Sequence, residues 1–191
     1  LLTINAHKAH GPKGVAALYV RPGTLLTPLL HGGGQEMGMR SSTVNVAAIV
    51  GFSETVAQYS ADDVTHIGSL KQALIVRLQA AFPEIRINGH LSSSLVSVLN
   101  VAIDGFDGAD LAKALDRRGI RVSASSACHA TRLEPSHVLK AMGQSDAQAD
   151  AALRISLGRF NDASQVDRLM DALVGIVNGA EQGIKASAGA S

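Results

Sequence analysis

Cysteine is nearly absent from this 191-residue chain: Cys128 is the only one, so no internal disulfide can form, which fits a reducing compartment. Tryptophan is missing and aromatic residues amount to 3%. Core contacts must therefore come from Ala, Val, Leu and Ile, and there are too few rings to stack nucleic-acid bases. Neither sign of charge dominates. The formal net charge is +1 with the basic residues dispersed, which gives no reason to expect a polyanionic partner. No run of about 18 uninterrupted apolar residues occurs, which excludes a transmembrane helix. What is abundant is aliphatic. Hydrophobic residues reach 46% against 17% charged, enough for a core and too many for a disordered chain. The expectation is a cytoplasmic globular protein that works with neither nucleic acid nor membrane.

The chain starts on Leu1-Leu2-Thr3-Ile4 rather than Met. An apolar run at residue one reads as a strand entered midway, and it lacks the charged and long apolar regions of a signal peptide. The expectation is the C-terminal piece of a longer protein. At the other end, Gly183 to Ser191 is rich in Ala, Gly and Ser and is expected to fray.

Between these ends, Leu1 to Asn5 and Val15 to Val20 read as two strands around a His/Lys/Gly/Pro loop. Residues 24–42 read as irregular, with three consecutive glycines at Gly32 to Gly34. Apolar spacing predicts helices over 43–60 and 62–82, the second ended by Pro83. Beyond Pro83 the texture changes. Strands are expected over 85–88, 95–103, 120–124 and 153–157, with 95–103 apolar enough to be buried on both faces. Helices are expected over 108–118, with Asp107 as N-cap, over 135–142, and over 164–180. Residues from Pro83 onward therefore suggest a small α/β sandwich, one sheet covered by helices.

Four groups of residues could carry chemistry, and each also has an ordinary structural reading. Lys8 follows an apolar strand, beside His7, in a loop bracketed by Gly and Pro. A lysine amine can form a Schiff base once desolvation or a nearby cation makes it nucleophilic; otherwise it is a solvated loop lysine. His31-Gly32-Gly33-Gly34-Gln35-Glu36 and Met39-Arg40-Ser41-Ser42-Thr43 could bring backbone amides and hydroxyls to an anion. Thr43 is the expected N-cap of its helix; otherwise the segment is a connector. Cys128 lies among small residues beside His129, open to act as a thiolate; otherwise it is a small buried hydrophobe. Arg154 sits in Leu153-Arg154-Ile155-Ser156-Leu157, where period-two alternation turns it away from the packed Leu–Ile–Leu face. It can hold a substrate carboxylate or bridge the strand to a carboxylate nearby. Histidine and cysteine spacing gives no zinc site.

These segments occur in one order. Ala6-His7-Lys8 and Gly11-Pro12-Lys13-Gly14 are followed by His31 to Glu36 and Met39-Arg40-Ser41. Ser126-Ala127-Cys128, Leu133-Glu134-Pro135-Ser136-His137-Val138-Leu139 and Arg154 to Phe160 come after. Together they resemble the cysteine desulfurases of the class V aminotransferase fold, the pyridoxal-phosphate enzymes that supply sulfur to iron–sulfur clusters. The resemblance implies the C-terminal part of a fold type I, class V transferase. Residues 1–82 would end the large cofactor-binding domain, 83–180 would form the small α/β domain with the cysteine loop, and 181–191 a flexible tail. It further implies that Lys8 holds pyridoxal 5′-phosphate, that His7 and, as a replacement for the usual Ser or Thr, Asn5 contact its phosphate, and that Thr43 reaches the phosphate in the other subunit of a homodimer. Arg154 would bind the carboxylate of L-cysteine. Cys128 would take the sulfur as a persulfide, releasing L-alanine, and pass it to an acceptor such as an iron–sulfur scaffold.

Two further departures stand out. Ser42 occupies a place where Gly is common in the family, and His129 one where a small hydroxyl residue is frequent. Residues that would stack on the cofactor ring and hold its nitrogen belong to a front half not represented here, so the chain alone is expected to be inactive. The alternatives are a selenocysteine or cystine lyase of the same fold, which need not use Cys128, and a non-catalytic dimerisation or sulfur-relay fragment.

Overall fold

Two short apolar strands separated by a Gly/Pro-rich loop pair as the sequence pattern requires. In the computed structural model, which describes residues 1–124 and 135–188 (the last eight by backbone alone), β1 (Leu2–Asn5) and β2 (Ala16–Tyr19) run antiparallel, with Leu2 opposite Tyr19 and Asn5 opposite Ala16. A 3₁₀ turn, Ala6–Ala9, caps the hairpin. Its fully buried Ala6 receives a hydrogen bond at its carbonyl from the Gly11 amide, 2.9 Å, and donates its own amide to the Val15 carbonyl, 3.2 Å. Helix α1 (Val46–Ala57) packs on this turn. A side chain at Gly11 would come within 2.7 Å of Thr55 Oγ1, so the absence of a Cβ is what lets turn and helix approach.

The contacts divide the chain into two compact units, Leu1–Ser60 and Ala61–Ser191. The sequence reading drew its line at Pro83, with the long helix in the first part. Helix α2 (Ala61–Ala81) instead has its contacts within the second unit, because Leu70, Leu74, Ile75 and Leu78 all join that unit's core. Spacing of three and four located the helix correctly but could not say which core its stripe fills.

The second unit is built on an antiparallel sheet with strand order β3 (Arg86–Ile87), β4 (Val98–Ala102), β6 (Ala152–Ser156), β5 (Ser123–Ala124). Leu99 and Val101 of β4 and Leu153 and Ile155 of β6 point to one side. There they meet α2, Leu111 and Leu115 of α3 (Gly108–Asp116), and Leu169 and Leu173 of α6 (Ala163–Ala188). On the opposite face Ala152 packs with Leu139 of α4 (His137–Ala141) and Ala149 of α5 (Asp146–Asp150). Strand β4 was expected to be apolar on both faces. Val98 and Asn100 are only half-buried, so the strand is two-sided in character, as antiparallel sheets commonly are.

Capping follows the sequence at α3, where Asp107 accepts hydrogen bonds from the amides of Ala109, 2.7 Å, and Asp110, 3.1 Å. Helix α5 was not anticipated. Its signal was present as a capping box: Ser145 Oγ accepts from the Gln148 amide, 3.2 Å, and Gln148 Oε1 from the Ser145 amide, 3.0 Å. Pro135 lies ahead of the N-cap of α4, Ser136, rather than in its first turn. Helix α6 continues to Ala188, into the stretch assigned to the tail, since its Ala, Glu, Gln and Lys residues favour helix over coil. Among the described residues no helix is long and apolar enough to cross a membrane.

One buried amine ties helix to loop. Lys71 of α2, 6% exposed, donates from Nζ to Ser94 Oγ and to the Leu95 carbonyl, each at 2.7 Å. Burial lowers its amine below the ordinary lysine range.

Gly108 offers a test of the close packing between α3 and β6. A Cβ there would collide with the backbone carbonyl of Ala152. Helix propensity alone makes Gly108→Ala stabilising by about 1 kcal/mol; the collision reverses the sign. Urea unfolding should show a loss of about 1–3 kcal/mol.

Candidate active site

Asn5 ends β1 and stands at the N-cap position of the 3₁₀ turn, half-buried, with His7 and Lys8 exposed on the turn itself. The left-handed backbone of His10, φ 66°, closes the turn. Neither the Lys8 amine nor the His7 ring has a hydrogen-bond or ion-pair partner among the described residues. An amide, an imidazole and an unpaired amine thus lie within four consecutive positions, with no carboxylate paired to any of them.

The glycine-rich segment of the same unit is irregular but tied down. The Ser41 amide donates to the Leu30 carbonyl, 3.3 Å, and the Ser42 amide to Gln35 Oε1, 3.1 Å. Ser42 has φ 108°, in the region that glycine occupies without penalty and other residues only under strain. Thr43 is exposed and does not cap α1. Asn45 does, its side-chain oxygen accepting from the Ala48 amide at 3.1 Å. The N-cap lies two residues later than the sequence suggested, and Asn outranks Thr as an N-cap.

In the second unit, strand pairing places Arg154 between Asn100 of β4 and Ser123 of β5. Its guanidinium donates to Ser123 Oγ at 3.2 Å. Among the described residues no carboxylate pairs with it. Arg159, just past the same strand, pairs with Asp63 at 3.3 Å, largely buried, and lies 5.5 Å over the Phe160 ring. Cys128 and its neighbour His129 lie outside the described residues, as do Ser126, Ala127, Leu133 and Glu134. Lys8, His7, Asn5 and Thr43 thus belong to one unit and Arg154 to the other.

Residues 1–169 match the aminotransferase class-V family. The chain belongs to that family. Cysteine desulfurase IscS 1 of Archaeoglobus fulgidus is 39% identical over 180 residues, covering 93% of this chain and 47% of that protein. Among solved structures, the NifS-like protein of Rickettsia africae superposes with a TM-score of 0.81 at 30% identity, over 92% of this chain and 47% of that one. SspA in complex with cysteine gives a TM-score of 0.59 at 32% identity, over 84% of this chain and 44% of that one. The chain spans about half the length of the curated relatives it matches.

Within this class V chain, sequence reasoning passed over Asn45, Asn88, Asn100 and Gln144. Asn100 carried a signal: an amide in an otherwise apolar strand is out of keeping with strand propensity. Its parity also places it on the face that Arg154 shares.

The two candidate caps can be separated by mutation. Asn45→Ala should lower stability by about 1 kcal/mol, and Thr43→Ala should leave it within about 0.5 kcal/mol. Thermal or denaturant unfolding of both variants checks this.

Proposed function

We propose that the chain carries the lysine, the nucleophilic cysteine and the carboxylate-binding arginine of a pyridoxal-phosphate-dependent cysteine desulfurase. It would convert L-cysteine to L-alanine and keep the sulfur on Cys128. The observation that carries this reading is Arg154: a half-buried guanidinium on the polar side of the sheet, with no carboxylate partner among the described residues. An arginine so placed calls for an anion from outside, and an amino-acid carboxylate matches its paired donors. The desulfurase names of the relatives and the cysteine held by SspA support the same substrate.

The first unit suits the cofactor. An unpaired amine at Lys8 fits an aldehyde, and Asn5 and His7, with no acid paired to them, fit a phosphate. Thr43 would add a hydroxyl to the phosphate in the other subunit of a homodimer. When bound, pyridoxal phosphate supplies an electron sink for charge developing on the amino acid. This chain's own residues do the rest. Arg154 orients the substrate through its carboxylate. The Cys128 thiolate attacks the substrate sulfur, so that an S–S bond forms as the Cβ–S bond breaks. The bonding pair stays with carbon, which takes up a proton and leaves as alanine. One persulfide and one alanine result, with no external oxidant or reductant. The persulfide would then go to an acceptor such as an iron–sulfur scaffold, in the cytoplasm, where a lone thiol stays reduced.

The first unit also leaves large apolar side chains uncovered. Leu25 is 99% and Leu29 90% exposed, and Leu2, Ile4, Leu18 and Tyr19 of the hairpin are about half exposed or more. Surface of this kind is ordinarily covered by further protein, which supports a homodimer and a site completed by residues other than these. The 191 residues alone should accordingly stay colourless when mixed with pyridoxal phosphate and desalted. A retained visible absorption band would overturn that expectation.

In the intact protein, Cys128→Ala should keep the cofactor's visible absorption and lose alanine formation from L-cysteine by at least about a hundredfold. Lys8→Ala should lose the absorption itself. Alanine formation that survives in Cys128→Ala would point to a selenocysteine or cystine lyase instead.

A further inference from the structure

One row of side chains crosses the polar face of the sheet, and it extends well beyond Arg154. The β4–β6 register sets Asn100 opposite Arg154. Asn88, just past β3, donates its backbone amide to the Asn100 carbonyl at 2.9 Å and its side-chain amide to Asn100 Oδ1 at 2.6 Å. Gln144, in the link between α4 and α5, donates from Nε2 to Asn88 Oδ1 at 2.5 Å. Gln144 thus donates to Asn88 and Asn88 to Asn100, so the amide dipoles run head to tail along the row, which ends at the residue paired with Arg154. Turning all three over would leave a buried, acceptorless NH₂ at Gln144, where a carbonyl oxygen now stands without a partner. A buried orphan donor is the rarer and costlier arrangement, which fixes the direction of the row.

The end of the row is unusual. Asn100 Oδ1 accepts from Asn88, and among the described residues nothing accepts from its NH₂. Its neighbour across the strand pair is a guanidinium, which only donates. No hydrogen bond joins the two side chains, the guanidinium donating to Ser123 instead, and an amide NH₂ and a guanidinium can share an anion. Chains of hydrogen bonds polarise their members, so a terminal NH₂ fed by two further amides is a better donor than an isolated one.

We infer that Asn100 is a second carboxylate-binding residue, contacting the substrate carboxylate together with Arg154, and that Asn88 and Gln144 are positioning residues that hold its NH₂ outward. This deepens the proposed function and rests on its assignment of Arg154 to the substrate. The row would make the site selective for a free carboxylate over an ester or amide, because a carboxylate offers oxygens to both donors with charge.

Calorimetric titration of the intact, cofactor-loaded protein with L-alanine and L-alaninamide tests this without turnover. Asn100→Ala should weaken L-alanine about tenfold and leave alaninamide within about twofold. The KM for L-cysteine should rise with little change in kcat. Asn88→Leu should show the same selectivity loss to a smaller extent. Asn100→Asp keeps the oxygen that accepts from Asn88 but puts a carboxylate against Arg154, and should lose L-alanine binding more completely than Asn100→Ala. Equal weakening of both ligands, or unchanged affinity for L-alanine, in a variant that melts within a few degrees of the parent would overturn the inference. If Asn100→Ala fails to fold, Asn100→Asp decides on the same comparison. Should the parent protein bind L-alanine in this pattern yet form no alanine from cysteine, the paired-donor site stands and the desulfurase reading falls.

Discussion

Antiparallel pairing of β4 with β6 is the constraint on which the second unit depends. Its register, with Leu99 opposite Ile155 and Val101 opposite Leu153, commits both strands to the same two faces. If β6 slipped by one residue against β4 its faces would exchange: Arg154 would enter the core under α2, α3 and α6, and Leu153 and Ile155 would face the polar side. The cost of burying a guanidinium without partners is several kcal/mol, so the apolar face fixes the polar one. Arg154 is thereby held by packing on the side of the sheet it does not touch. The substrate-binding role proposed for it borrows its rigidity from the core.

Much of this was legible in the sequence, and what was missed has identifiable causes. Helix α2 was visible because Ile67, Leu70, Leu74 and Leu78 recur at intervals of three and four, and α3 because Asp107 precedes it and Gly119 follows. Alternation around Arg154 correctly separated it from Leu153 and Ile155. Parity in β4 was obscured by Val98 and Ala102, apolar residues on the polar face, so the strand read as apolar on both sides and Asn100 was passed over. Local patterns could not show that Asn88 and Gln144 converge on Asn100, since that meeting depends on the β3–β4 pairing and on the fold of the α4–α5 link. Helix α5, by contrast, was signalled by Ser145 and Gln148 and overlooked because five residues, Asp146–Asp150, are too few for periodicity to register.

The first unit follows a different logic. Its core is slight: Ala6 and Ala48 are its buried apolar residues among those described, and the approach of the 3₁₀ turn to α1 rests on small side chains. What holds Lys8 in place is a hairpin register and a pair of backbone bonds rather than a packed interior. Ser42 shows the same economy in the glycine-rich segment. A serine at φ 108° costs on the order of 1–3 kcal/mol, and its surroundings keep it there through the Ser42 amide bond to Gln35 and the buried Ser41 beside it. Strain next to Thr43, the residue proposed to meet a phosphate, is the kind of expense that functional loops carry.

The two units therefore contribute unequal things to one proposed chemistry. The second brings a rigid frame whose polar face presents donors in a row, each oriented by the next. The first brings an amine, with an imidazole and an amide proposed to meet a phosphate, on an exposed turn. A site of that kind gains precision in substrate orientation from within this chain and gains enclosure from elsewhere. Under the proposed function, desolvation of the lysine and exclusion of water would depend on further protein, whereas discrimination between a carboxylate and its neutral analogue would not. That division follows from where buried apolar area lies, because a side chain is no better fixed than the packing behind it.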